Sequence, residues 1–107
     1  MSEFVAVAKT SEVPDPGSML VEVGERLVVL IHAAGNWYAL DDVCTHDGGP
    51  LSDGPLDAEH KTIACPRHGA KFDIRTGAAV TMPATKPTKS HEVKIDGECI
   101  LVKLSGS

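Results

Sequence analysis

LVEVGERLVVLIHA, residues 20–33, consists of two β-rich runs, Leu20 to Val23 and Arg26 to Ala33, on either side of Gly24-Glu25. Two residues led by glycine between such runs mark a tight β-hairpin, because glycine takes positive φ without a steric penalty. Upstream, Phe4 to Ala8 reads as a first strand, followed by a Pro14-Asp15-Pro16-Gly17 loop. Downstream, Ala34-Gly35-Asn36 turns the chain into Trp37 to Leu40. Four short strands in the first 40 residues, with no capped helix among them, predict an antiparallel sandwich or small barrel.

The other end of the chain supplies a second hairpin. Val93-Lys94-Ile95 and Glu98 to Leu104 flank Asp96-Gly97, the residue pair of a type I′ turn. That turn pairs Ile95 with Glu98, Lys94 with Cys99 and Val93 with Ile100. Val93, Ile95, Ile100, Val102 and Leu104 are then expected to line the core, with Cys99 on the outer face beside Lys94 and Leu101.

Composition narrows the class. A chain of 107 residues is one domain, and 42% hydrophobic with 23% charged residues is ordinary for a soluble globular protein. Ten Gly and seven Pro argue against a helical bundle. A net charge of −5 without a basic stripe argues against nucleic acid as a partner. The longest aliphatic run, Leu27 to Ile31, is five residues, against roughly 20 for a membrane span. Met1-Ser2-Glu3-Phe4 has neither the basic start nor the apolar stretch of a secretory signal, so a cytoplasmic location is expected. Three cysteines, an odd number in a reducing compartment, point away from a disulfide framework and towards a bound or reactive thiolate.

Residues 41–84 have a different texture, rich in Gly, Asp and Pro, with two of the three Cys and three of the five His. Leu56 to Ile63 is expected to be a turn leading into a strand at Thr62 to Ala64, and Pro83 to Ser90 a return segment. The chemistry lies in Cys44-Thr45-His46 and Cys65-Pro66-Arg67-His68, with 18 residues between His46 and Cys65. Two soft thiolates and two imidazoles suit zinc or iron–sulfur chemistry, not magnesium or calcium. On donor types alone a tetrahedral structural zinc site stays open.

The wider pattern resembles the Rieske [2Fe–2S] ferredoxins. It includes Cys-x-His, Cys-x-x-His at this separation, Gly69-Ala70-Lys71-Phe72-Asp73 and Thr76-Gly77. It extends from Trp37-Tyr38-Ala39 through Leu51-Ser52-Asp53-Gly54 to Met82-Pro83-Ala84. The resemblance implies one [2Fe–2S] cluster per chain, with Cys44 and Cys65 on one iron and His46 and His68 on the other. It implies an all-β fold, a sandwich or barrel base (residues 1–42 and 85–107) carrying an inserted cluster-binding subdomain at about 43–84. Gly48, Gly49 and Gly69 would bring backbone N–H groups near sulfur, and Met82-Pro83-Ala84 would form a screening loop. Positions that carry a disulfide in the cytochrome bc-type branch are Gly49 and Arg67 here. Positions that donate hydroxyls to the cluster sulfurs in that branch are Ala70 and Phe72. Fewer donors to sulfur imply the low-potential, soluble branch.

The function implied is one-electron transport from an NAD(P)H-dependent flavoprotein ferredoxin reductase to a terminal Rieske oxygenase. Such a carrier is expected to be monomeric, away from membrane and nucleic acid, and not catalytic alone. A small Rieske subunit of an NAD(P)H nitrite reductase and an accessory ferredoxin of another redox or iron–sulfur assembly pathway are the alternatives. Cys99, His32, His60 and His91 are expected to be structural, the histidines as solvated strand-end or turn residues. Trp37 and Tyr38 are expected to pack beneath the first loop. The acidic run Asp41, Asp42, Asp47, Asp53, Asp57 and Glu59, followed by Lys61, Arg67, Lys71 and Arg75, suggests a polar docking face.

Overall fold

The computed structural model describes residues 4–42, 50–66, 69–81 and 86–104. Among the described residues, nine strands form two antiparallel sheets: β1 (Val5–Lys9), β2 (Gly17–Val23), β3 (Arg26–Ala33), β4 (Asn36–Asp41), β5 (Leu56–Asp57), β6 (Thr62–Ala64), β7 (Lys71–Asp73), β8 (Ser90–Asp96) and β9 (Cys99–Lys103). The large sheet runs β1-β9-β8-β4-β3-β2 and curls until its end strands approach each other, a near-barrel. The small sheet, β5-β6-β7, comes from the stretch of chain between β4 and β8.

β3 explains the one unbroken aliphatic run. Val28, Val29, Leu30 and Ile31 are all fully buried. Alternation sends Val28 and Leu30 into the barrel with Val21, Val23, Ala39, Ile100 and Val102. Val29 and Ile31 turn the other way, to Leu40, Leu51, Ile63, Phe72 and Ile74 beneath the small sheet. A strand covered on both faces has no solvent side to be polar. Burying each such side chain contributes roughly 1.5–3 kcal/mol, so β3 anchors both layers.

The first hairpin forms as expected, with Val23 opposite Arg26 and Gly24 at φ +65°. The next turn is tighter than expected. It uses Ala34 and Gly35 alone, at φ +51° and +78°, and Ala33 pairs with Asn36. Ala34 holds that uncommon conformation because Asp15 accepts the Ala34 N–H at 3.0 Å and the Gly35 N–H at 2.7 Å.

The last hairpin corrects the expected register. Gly97-Glu98 makes the turn, with Gly97 at φ +62°, and Ile95 pairs with Ile100, Lys94 with Leu101 and Asp96 with Cys99. The slide is two residues, which leaves each side chain on its expected face. Cys99 is exposed on the outer face, and Ile100 and Val102 are fully buried. Ile95, expected in the core, is 40% exposed because it stands at the hairpin tip. β1 starts one residue later than expected, and β4 extends one residue further at each end.

Candidate metal centre

β4, β6 and β8 converge where the chain enters and leaves its Gly-rich loops. Asp42, just beyond β4, is buried and accepts the Ser52 N–H at 2.6 Å and the Ser52 hydroxyl at 2.9 Å. Asp42 is thereby tied to the 3-10 turn Leu51–Asp53, in which Ser52 lies. Cys65 follows β6 directly, and its side chain is buried in the same apolar cluster as Leu51 and Phe72. Its N–H donates to the Ala70 carbonyl at 2.8 Å, and its carbonyl accepts from Gly69 N–H at 3.0 Å. The return segment is pinned as well. Thr88 N–H donates to the Gly77 carbonyl and Asp41 N–H to the Lys89 carbonyl, both at 2.8 Å.

Of the four expected ligands, Cys65 lies among the described residues; Cys44, His46 and His68 lie outside them, as do Gly48, Gly49, Arg67 and Met82-Pro83-Ala84. The framework fits the group the donor set implies. A buried thiol closes one tight turn, and a second motif begins two residues beyond a clamped carboxylate on the same packed floor. Gly69 is needed for its left-handed backbone, φ +74°. Gly54 is needed for space, because a Cβ there would overlap the Ala64 carbonyl, one residue before Cys65. Ala70 and Phe72, the positions without hydroxyls, are both fully buried against this floor.

Several expected surface groups prove to be structural. His91 is buried, its Nε2 2.7 Å from Asp41 Oδ1. His32 is half-buried, with Nδ1 3.0 Å from the Val13 carbonyl and its ring stacked on Trp37 at 3.7 Å. These two are not solvated strand ends, whereas His60 is an exposed turn residue bonded to Asp57 as expected. Trp37 packs against the barrel core at the end of β4 remote from Asp41, and the first loop lies outside the described residues. Tyr38, on the opposite face of β4, does pack against the small-sheet cluster.

The proposed docking face also loses members. Asp41 and Asp42 point inward, whereas Arg75 stays exposed and bonds Asp73 at 3.2 and 3.0 Å. Those bonds hold the Asp73 carboxyl below its ordinary 3.8. A carboxyl depressed in the fold contributes stability at neutral pH, lost as pH falls below that value.

A Rieske [2Fe–2S] domain model matches residues 3–95. This chain belongs to the Rieske [2Fe–2S] family. It is 37% identical over 94 residues to the ferredoxin component of a naphthalene 1,2-dioxygenase system from Pseudomonas aeruginosa, covering 88% of each chain. Among solved structures, the ferredoxin of carbazole 1,9a-dioxygenase from Nocardioides aromaticivorans superposes with a TM-score of 0.90 at 31% identity, covering 92% of this chain and 95% of that one. A complex of reduced oxygenase and oxidized ferredoxin in carbazole 1,9a-dioxygenase contains a chain matching at TM-score 0.85 and 30% identity, over 92% of this chain and 91% of that one. As a Rieske domain, the chain carries a [2Fe–2S] cluster as its cofactor.

Proposed function

We propose that this Rieske protein is a one-electron carrier that takes electrons from an NAD(P)H-dependent flavoprotein reductase and delivers them to a terminal oxygenase. The observation carrying the reading is the match to ferredoxin components of dioxygenase systems, over 88% of both chains for the naphthalene system. Cys44 and Cys65 would hold one iron, His46 and His68 the other. The cluster, when bound, supplies a single reversible electron. The residues of this chain supply the floor: the Asp42–Ser52 clamp, the Cys65–Ala70 turn and the apolar packing of Leu51 and Phe72. We place the cluster-binding subdomain at about residues 43–84 on a base of 1–42 and 85–107, supported by the small sheet arising between β4 and β8. A monomeric, cytoplasmic protein away from membrane and nucleic acid fits the acidic charge of −5; among the described residues no helix is long and apolar enough to cross a membrane.

The test is reconstitution. Reduced protein mixed with a dioxygenase of the naphthalene or biphenyl type should be reoxidised with product formed, and inert protein would overturn the acceptor assignment. Freshly prepared protein should hold about two iron and two labile sulfides per chain, and stoichiometric zinc in their place would overturn the cluster reading.

Two further results are expected. Cys99→Ser should leave the visible spectrum and iron content unchanged, because Cys99 stands exposed on the outer face of β9. A lost cluster would place Cys99 in the metal chemistry. The wild-type potential should lie near the low end of the Rieske range, about −150 mV, for want of hydroxyls at Ala70 and Phe72. Ala70→Ser with Phe72→Tyr should raise it, each new hydrogen bond contributing on the order of 1 kcal/mol. Voltammetry of both proteins decides, and an unmoved potential would dispose of the hydrogen-bond explanation.

A further inference from the structure

Consecutive carboxylates at the end of β4 serve opposite sides of it. Asp42 binds Ser52 at the small sheet. Asp41, by alternation on the barrel-interior face with Ala39, places Oδ1 2.7 Å from His91 Nε2 and Oδ2 3.1 Å from an Arg26 terminal nitrogen. The His91 side chain has no solvent exposure, Asp41 has 15% and Arg26 37%. An ionised carboxylate only accepts, so at this distance Nε2 carries the proton and donates. Asp41 N–H also bonds the Lys89 carbonyl at 2.8 Å, and Thr88 Oγ1 lies 3.5 Å from the Asp41 carbonyl. One residue thus joins β3, β8 and the return segment, three positions before Cys44.

We infer that His91 and Arg26 are positioning residues for the metal centre, acting through Asp41. They fix the point at which the chain leaves the barrel towards Cys44, and they keep the Asp41 charge compensated beneath the cluster. The inference rests on the ligand assignment proposed above. Three residues of chain separate Asp41 from Cys44, which bounds their Cα atoms to within ~11 Å of each other. Largely out of water, the Asp41 carboxylate is screened less than an exposed charge, for which the screening length is ~8 Å at physiological salt. Taking a donor from Asp41 leaves more negative potential at the cluster and opposes electron uptake. Removing the carboxylate does the reverse.

The experiment measures midpoint potential, the EPR g-values of the reduced protein, and iron and sulfide content in loaded variants. His91→Leu should lower the potential and Asp41→Asn should raise it, with iron and sulfide retained. His91→Gln, whose amide can still donate to Asp41, should restore most of the wild-type value. Arg26→Gln, at a part-exposed position, should also lower the potential and stands in for His91→Leu should that variant not fold. Opposite-signed shifts are the outcome a purely structural pair would not produce. Wild-type potentials and g-values in loaded variants, or shifts of the same sign, would overturn the inference. Wild-type protein without iron and sulfide would overturn the ligand assignment instead.

Discussion

Cys65→Ser is expected to strip the protein of essentially all iron, labile sulfide and visible absorption. The substitution is almost isosteric, and the Cys65 backbone is already committed through its bonds to Gly69 and Ala70, so the turn can form around serine. What changes is the donor. A thiolate is a soft ligand available near neutral pH, whereas a serine hydroxyl is hard and stays protonated. The side chain is also buried, so the change is made inside the packed floor and not at the surface. Metal content by elemental analysis, with the unfolding temperature alongside, reads the outcome. A serine variant with full iron and sulfide would remove Cys65 from the ligand set.

Gly77→Ala is expected to be strongly destabilising although it removes no side chain. Gly77 has φ +82°, and a Cβ there would also overlap the Thr88 carbonyl. The same two residues are bonded, Thr88 N–H to the Gly77 carbonyl at 2.8 Å, so Thr88 cannot retreat without breaking the pin on the return segment. The left-handed backbone alone costs ~1–3 kcal/mol, and the displaced strand entry brings the total to at least ~3 kcal/mol. For a domain of this size that lowers Tm by roughly 12–24 °C. Gly24→Ala is the control, since Gly24 has φ +65° with open space around it and should lose only the backbone part. Equal losses at the two sites would show that the overlap with Thr88 plays no role.

The features legible in the sequence were those written in neighbouring residues. The Gly24-Glu25 hairpin and the Cys-x-His and Cys-x-x-His motifs depend on short spacings. The aliphatic run of β3 announced a strand, though its double-sided burial became visible only with the small sheet in place. The illegible features have distant partners. Asp41 and His91 are 50 positions apart, and nothing beside either residue marks the pair. Gly54 and Gly77 belong to the motif in the sequence, but the steric reason for each appears only when Ala64 and Thr88 are found against them. At the last hairpin, Asp96-Gly97 and Gly97-Glu98 both place glycine at a central turn position. The choice between them falls to β1, whose pairing with β9 runs from Val5–Val102 to Lys9–Cys99. Among the expected ligands, Cys65 lies in the described fold, and Cys44, His46 and His68 are read from their pattern in the sequence.

The two apolar clusters on opposite faces of β3 and β4 share no residue. That separation has a consequence for maturation. The barrel cluster around Leu30, Ile100 and Val102 contains no expected ligand, so it can close before any inorganic centre arrives. Cys65 belongs to the other cluster, and on the proposed ligand set that cluster is expected to gain order as the iron binds. Amide exchange on apoprotein would then show slow protons in β2, β3, β8 and β9 beside fast ones in β5, β6 and β7. On that reading the newly made polypeptide is expected to be a half-finished vessel: a nearly closed barrel with an open lip, ready for its cargo.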